Sequence, residues 1–505
     1  MSDSYHDGEP LRIGTGHQLL LDDALVEDRW RLTRRLVRPE KYIGNPVLAR
    51  NKPWEGGLVA GPQVMWDPAL GKYRMWYNCA KFVMDTGDDL PRKCVAYAES
   101  DDGFEWVKPR LDLVPSRTYG PTNVIFTGSC PEDEGRHGAM SDQVIRDEAD
   151  PDPARRYKMV TYLARFIDGK VRRGVSLAVS PDGLRWTLDG DRHILDYNSD
   201  TLNLMVHDPA RGRWLLYCRP RSMHATGRQP QEPVPGFYPQ GRHSSRRIAV
   251  MTTRDFRTWS YPRTCLYPGE GEVADYDAFS VFRCGSHFLM LYVAMDGDGP
   301  TATKNVHLAS SVDGVRWERF HTGEPFIPRG REGDWDAGQI MRVSTLGPVV
   351  HGPNLLFYYQ GCSKGQYEWS GQSGVGIAMA QANRFAMQWA DDEPAYLITK
   401  EFLLEGNRLR VNSIHFRQAR QTRSLRVEVL RHPPLGGHAG FAPAYPGFSL
   451  AECGGLKGKA NDLNGSDALV AWNGSPDLSP LQGRPVYLRF ELRNMGLFSF
   501  RTPVE

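Results

Sequence analysis

Five acidic residues each stand at or just ahead of a stretch of strand-forming sequence. They are Glu55 before Gly61–Asp67, Asp142 in Ser141–Asp147, Asp200 in Asp200–Asp208, Asp275 (or Asp277) in Asp275–Val281, and Asp336 in Asp336–Val343. If the stretches come together, the acids share one site. Two carboxyl groups on either side of a glycosidic bond suffice to cleave it: one protonated to assist the leaving oxygen, one ionised to attack or to activate water. Crowding carboxylates raises some of their pKa values, because neighbouring negative charge resists ionisation. Not every acid qualifies. Asp67, Asp147 and Asp208 end their stretches and read as turn residues.

Further side chains could bind rather than react. Trp54, Tyr276 and Trp335 adjoin candidate acids and could stack on a sugar face. His137 lies just ahead of the second stretch and could reach its rim. Arg219, Arg246 and Gln339 could clamp hydroxyls or hold a carboxylate ionised. Each of these residue types also serves plain packing or pairing. No strand-to-helix GxGxxG, phosphate-binding P-loop, HExxH or GxSxG occurs, and no His pair has metal-ligand spacing. No metal or cofactor is expected.

The elements that position these residues are announced by a repeated phrase. Ser100-Asp101-Asp102-Gly103-Phe104-Glu105-Trp106 returns as Ser180–Trp186, Thr253–Trp259 and Ser311–Trp317, with a worn copy near Ala378–Phe385. In the four clear copies an Asp stands four residues before the Trp. Two strands joined by a tight turn produce this pattern, with Asp102, Asp182, Asp255 and Asp313 bonding the turn backbone and the Trp packing between sheets. Strand-rich repeats about 60–80 residues apart predict radial sheets around a channel. The expected fold is all-β: a five-bladed β-propeller followed by a C-terminal β-sandwich. Residues 1–50 form a segment completing the propeller, 51–395 the blades and 396–505 the sandwich. Within the first segment, Leu19-Leu20-Leu21 reads as a strand closing an outer sheet. The sandwich predicts packing against the propeller, with sugar binding or dimerisation as further roles; a homo-oligomer is compatible with it.

Lys plus Arg total 62 and Asp plus Glu 60, a formal charge of +2, which argues against nucleic-acid and polybasic membrane partners. No apolar run reaches the ~20 residues of a membrane span, and the N-terminus lacks the basic-then-apolar order of a secretory signal. Eight scattered Cys without a CxxC pair fit free thiols, and a cytoplasmic location is expected.

The order of acidic inner strand, aromatic hairpin and Ser-x-Asp-Gly-x-x-Trp closing strand resembles the five-bladed propeller glycoside hydrolases of families 32, 68 and 43. Lys52-Pro53-Trp54-Glu55, Ser199-Asp200-Thr201-x-Asn203 and Asp336-x-Gly338 are most similar to bacterial family-32-like proteins. The resemblance spans about residues 10–395, and the tail resembles the sandwich family 32 carries. Family 32's Trp-Met-Asn-Asp-Pro, Arg-Asp-Pro and Glu-Cys phrases are not intact here. By blade position alone the resemblance implies Glu55 as nucleophile or base, Asp142 as stabiliser and Asp200 as acid, with Asp275 and Asp336 as rivals. The implied function is hydrolysis of a furanoside (fructoside- or arabinoside-like) or similar small carbohydrate. Alternatives are a non-catalytic sugar-binding propeller, a protein-interaction scaffold, and a phosphorylase using Arg219, Arg246 and Arg247.

Overall fold

The computed structural model describes residues 9–81, 89–133, 137–195, 202–219, 246–269, 275–297, 301–319, 323–366, 368, 370–415, 422–433, 437–456, 465 and 467–505. Apart from short 3-10 turns, the described secondary structure is all strand. Among the described residues no helix is long and apolar enough to cross a membrane.

Consecutive strands fold back on themselves into antiparallel sheets. The first comprises Leu58–Asp67, Lys72–Ala80, Lys93–Ser100 and Val124–Phe126. The second comprises Met140–Arg146, Tyr157–Ile167, Lys170–Ser180 and Thr187–Leu188. The third comprises Leu204–Asp208, Arg213–Cys218, Ile248–Thr253 and Arg263–Leu266. The fourth comprises Asp275–Cys284, His287–Asp296, Thr303–Ser311 and Glu318–Arg319. A fifth set, Gln339–Val343, Asn354–Cys362 and Ser373–Gln381, joins the fourth through one parallel pair, Lys304 with Gln339.

The outer strand of the fifth set comes from the other end of the chain: Glu40–Lys41 and Leu48–Ala49 pair with Ser373–Gln381. The expectation for Leu19 is corrected. Gln18–Leu19 pairs with Met495–Arg501 in the tail, not with an outer sheet of the ring.

Neighbouring sheets lock in cyclic order through the repeated phrase. Asp102 Oδ1 accepts from the backbone N–H of Phe104 and Glu105, at 2.7 and 2.8 Å. Asp182, Asp255 and Asp313 make the same pair of bonds. The turn glycine then receives an aromatic from the preceding sheet. Tyr358 of the fifth donates to Gly103 O, Trp76 of the first to Gly183 O, and Tyr217 of the third to Gly314 O. Gly103 has φ +85°, and a Cβ there would lie 2.9 Å from the Tyr358 hydroxyl, so the turn needs glycine for both backbone and space. Tyr358 on Gly103 joins the fifth set to the first sheet, as do Val59 N–H to Ser373 Oγ and Gly61 N–H to Gln360 Oε1. Lys72–Ala80 is buried at almost every position because both its faces meet sheets.

The tail strands form two antiparallel sheets around one core that includes Leu397, Leu425, Val427, Phe490 and Phe500. Strict alternation of burial along Pro485–Arg493 shows one face inward and one outward. The N-terminal strands Val26–Trp30 and Leu32–Leu36 belong to these sheets, which fastens the tail beneath the ring.

Candidate active site

A strand that keeps its register points alternate residues to opposite faces, and one extra residue breaks that rule locally. The innermost strands use this device. Register shifts fall between Ala60 and Gln63, Ser141 and Gln143, Tyr276 and Ala278, and Ile340 and Arg342. The extra residues are Gly61-Pro62, Asp142, Asp277 and Met341. Two carboxylates therefore occupy equivalent bulges on the second and fourth sheets.

Beneath the bulges the axis is filled by polar side chains bonded from sheet to sheet. Gln63 Nε2 donates to Ser141 O and Oγ at 2.9 Å, and Gln143 Nε2 to Met205 O at 3.0 Å. Ser280 Oγ donates to Ser344 O at 2.7 Å, and the Gly61 N–H to Gln360 Oε1 at 3.1 Å. Thr345 Oγ1 crosses to Asp142 O at 2.8 Å. This network fixes the backbone on which Asp142 stands.

Asp142 is 2 % exposed. Its Oδ2 accepts from the backbone N–H and Nδ2 of Asn203 at 3.1 and 2.9 Å. Burial pushes its pKa up; the Arg342 guanidinium and the Asn203 bonds oppose that without cancelling it. Arg342 lies against Gly61, where a Cβ would be 3.2 Å from its Nη1. Asp142 is thus inclined toward its protonated form.

Asp277 has the opposite setting. Lys304 donates to its Oδ2, and Arg219 Nη2 and Arg246 Nε lie 3.2 and 3.3 Å from Oδ1. Arg219 also bonds the Asp277 backbone carbonyl at 2.6 Å. Burial would raise its pKa, but Lys304, Arg246 and Arg219 together hold it well below the usual carboxylate range. Lys304 is wholly buried and bonds Gln366 as well. Asp275 supports the group by accepting the Arg246 N–H at 2.8 Å.

The expected residues divide. Arg219, Arg246, Asp275 and Asp277 are together. Asp142 stands on the axis facing Arg342. Glu55 and Asp336 each sit in an ion pair with a Lys. Glu55 is fully buried; Oε1 accepts from Tyr77 and Lys108, and Oε2 from the N–H of Asn51 and Lys52. Asp336 Oδ2 accepts from Lys41 at 2.6 Å and Tyr359 at 2.9 Å. Both are consumed within their own sheets.

Trp54 is buried and donates to Asn123 at 2.8 Å. Trp335 stacks on Tyr359 with centroids 5.7 Å apart. Tyr276 is buried against Tyr292 and takes a bond from Arg319. Trp54 and Tyr276 are buried, and Trp335 is half-buried. His137 sits half-buried against Asp133 and Arg173, in a group of its own. Gln339 is buried, its amide donating to Lys364 O and Gly365 O. Arg247 bonds the Arg246 carbonyl. Asp200 lies outside the described residues. Lys304 and Arg342 escaped notice; Arg342 stood out as a cation within the inner strand Gln339–Val343, whereas Lys304 begins its strand among polar residues and gave no such signal. Among the described residues no group of His, Cys, Asp and Glu could hold a metal.

No family profile and no curated protein matches the chain. Several solved structures resemble it. An N-acetylgalactosamine deacetylase from F. plautii, in complex with blood group B trisaccharide, is 17% identical, covers 70% of this chain and 96% of its own, and has a TM-score of 0.43. A structure from the GH130 family of mannoside phosphorylases, described as containing hydrolases of β-1,2 mannosidic linkages in Candida mannan, is 14% identical, with coverages of 73% and 99% and a TM-score of 0.45. The catalytic domain of a Coprinopsis cinerea GH62 α-L-arabinofuranosidase is 14% identical, with coverages of 69% and 99% and a TM-score of 0.43. At these levels the likenesses carry no argument about chemistry.

Proposed function

We propose that the chain is a glycoside hydrolase built on a five-bladed β-propeller within residues 51–395, its fifth blade completed by Glu40–Lys41 and Leu48–Ala49, and followed by a β-sandwich of residues 396–505 that also takes in strands of residues 18–36. One observation carries the reading. Two carboxyl groups occupy equivalent bulges of inner strands, one pushed toward neutrality by burial and one held ionised by three cations. Environments that drive two acids apart in pKa are how a site divides acid from base or nucleophile at one pH.

In this mechanism Asp142 gives its proton to the glycosidic oxygen as the bond to the anomeric carbon breaks. Asp277 faces the positive charge that develops on the sugar. Water then adds at the anomeric carbon, and its proton returns to Asp142. Arg342, with the Asn203 bonds, opposes the upward push that burial gives the Asp142 pKa. Asp200 is retained as a further candidate acid from the resemblance, and the expected substrate is a furanoside or other small carbohydrate met in the cytoplasm.

Screening nitrophenyl furanosides and pyranosides, then fructo- and arabino-oligosaccharides, tests the proposal. Asp142→Asn and Asp277→Asn should each abolish sugar release while the circular dichroism spectrum is unchanged. Undiminished turnover in both variants would sink it.

A second reading is favoured by the cation count at Asp277. Arg219, Arg246 and Lys304 could seat inorganic phosphate as the attacking group, making the reaction phosphorolysis. Turnover that requires added phosphate and releases a sugar phosphate decides for it.

A further inference from the structure

The hairpin that ends the inner strand of the fourth sheet carries a side-chain relay of its own. Asp275–Cys284 turns through Gly285 and Ser286 into His287–Asp296, so Ser286 stands at the opposite end of the inner strand from Asp277. The turn is pressed against the N-terminal segment. The Ser286 N–H donates to His17 O at 3.0 Å, and a Cβ on Gly285 would overlap that same carbonyl oxygen.

Three side chains meet there in series. Ser286 Oγ is 2.7 Å from His287 Nδ1, and His287 Nε2 is 3.1 Å from Asp22 Oδ1. His287 and Asp22 are buried, and Ser286 is half-buried. Asp22 also accepts from Ser310 Oγ at 2.6 Å and from the Ala24 N–H at 2.9 Å. Burial alone would raise the Asp22 pKa, but the bonds from His287, Ser310 and Ala24 bring it below its ordinary value. An ionised carboxylate only accepts, so the ring hydrogen belongs on Nε2. The neutral ring then offers its lone pair at Nδ1, and the Ser286 hydroxyl donates to it. Ser286 Oγ also accepts from the Leu19 N–H at 3.4 Å, which uses one of its two lone pairs. The other remains for attack.

A serine bonded to an imidazole that a buried carboxylate orients is an activated nucleophile, on whatever fold the three occur. Ser286 and His287 both line a cavity of about 480 Å³ between the hairpin and the N-terminal segment. Leu11, Ile13, Leu25 and Phe288 give it apolar walls, which suit a short acyl chain. We infer that Ser286 is a reactive nucleophile that takes acyl groups from short-chain esters, with His287 as its base and Asp22 as the positioning residue. Ser286 Oγ bonds to the acyl carbon and gives its proton to His287 Nδ1. The bond from that carbon to the leaving oxygen breaks, and the leaving oxygen takes the proton from Nδ1. Water then adds to the acyl carbon by the same proton route, which frees the carboxylic acid and restores the Ser286 hydroxyl. The inference is independent of the catalytic proposal, since it uses neither Asp142 nor Asp277.

Incubation of the full chain with a fluorophosphonate probe, followed by peptide mapping, tests it. Attack by Oγ on phosphorus displaces fluoride, and Ser286 is the residue expected to carry the phosphonyl group. Ser286→Ala should lose the label with an unchanged circular dichroism spectrum. Asp22→Asn should label at least about a hundredfold more slowly, because an amide N–H facing Nε2 moves the ring hydrogen to Nδ1. Ser310→Ala removes the other hydroxyl bonded to Asp22 and leaves the relay whole, so it should label at close to the parent's rate. Release of nitrophenol from 4-nitrophenyl butyrate should rank the variants in the same order. An unlabelled parent, a label on a different residue, or equal labelling rates in Asp22→Asn and the parent overturns the inference.

Discussion

Glu55 and Asp336 on one side, and Asp142 and Asp277 on the other, come from neighbouring levels of one ring yet are put to different uses. Glu55 and Asp336 each follow a Trp, and each is captured by a Tyr of the adjacent strand and by a Lys: Tyr77 with Lys108, and Tyr359 with Lys41. Their lone pairs are spent on holding the start of an inner strand. Asp142 and Asp277 sit one bulge further in, on the strands themselves. Asp142 is held mainly by an amide, and Asp277 by three cations that fix its charge. Under the proposed mechanism the acids set at the start of an inner strand are structural, and those displaced by a bulge do the chemistry.

Exchanging the two treatments should give opposite phenotypes, and this is the largest effect expected. Asp142→Asn should lower kcat/KM by on the order of 10²–10⁴, the usual worth of a general acid, with little change in melting temperature. Glu55→Gln leaves buried Lys108 without its carboxylate and should cost about 3–5 kcal/mol of stability, with kcat/KM of the folded protein within twofold of the parent. Parallel denaturant unfolding and steady-state kinetics read both. If Glu55→Gln proved fully stable but inactive, the division between captured and available acids would be wrong.

A smaller effect sharpens the difference between Asp142 and Asp277. If Asp277 acts ionised as proposed, activity is lost as pH falls through its depressed pKa. Removing Lys304 takes away the first-ranked attraction holding that pKa down, so Lys304→Met should move the acid limb of the kcat/KM profile to higher pH. If Asp142 acts protonated as proposed, activity is lost as pH rises through its elevated pKa. Arg342 opposes that elevation, so Arg342→Met should move the basic limb to higher pH. The two variants act on opposite limbs in the same direction. A shift of only the wrong limb in either would reassign the acid and its partner.

How much of this the sequence displays depends on the range of the interaction. The Ser-x-Asp-Gly turn is local, and its Asp bonds the N–H groups two and three residues on, as read. Strand order within each sheet is nearly as local. The bulges are not legible: Asp275 and Asp277 would share a face in a regular strand, and only the shift between Tyr276 and Ala278 separates them. Lys304 is a buried cation whose anion lies on the inner strand of its own sheet, and its sequence context reads as an exposed strand start. The outer strand of the fifth set lies still further off, since Glu40 pairs with Met379. Glu55 and Asp336 meet the same limit, because capture by Lys108 and Lys41 is settled by tertiary approach alone.

The finest contrast lies between two copies of the turn. Asp182 belongs to a turn that also receives Arg74 on its own carbonyl at 2.6 Å and Trp76 on Gly183 O at 2.7 Å. Asp255 makes the same two backbone bonds, but Phe256 replaces the glycine with φ +58°. The first turn receives two side chains from the preceding sheet on its backbone; the second reaches its neighbour through Trp259, which donates to Ile194 O at 3.1 Å. Asp182→Ala should therefore cost about 1–2 kcal/mol, and Asp255→Ala should lower the melting temperature by less. Both carboxyls have depressed pKa values, that of Asp255 to about 2, through hydrogen bonds from turn N–H groups that outweigh burial. A depressed carboxyl stabilises the fold above the unfolded-state pKa near 4 and loses that contribution as pH falls toward the folded value. The difference between each alanine variant and the parent should thus be full at neutral pH and shrink between about pH 4 and pH 2. Equal melting-temperature losses in the two variants at neutral pH would mean that the turns carry no load between sheets, and that the ring is held by its axial network alone.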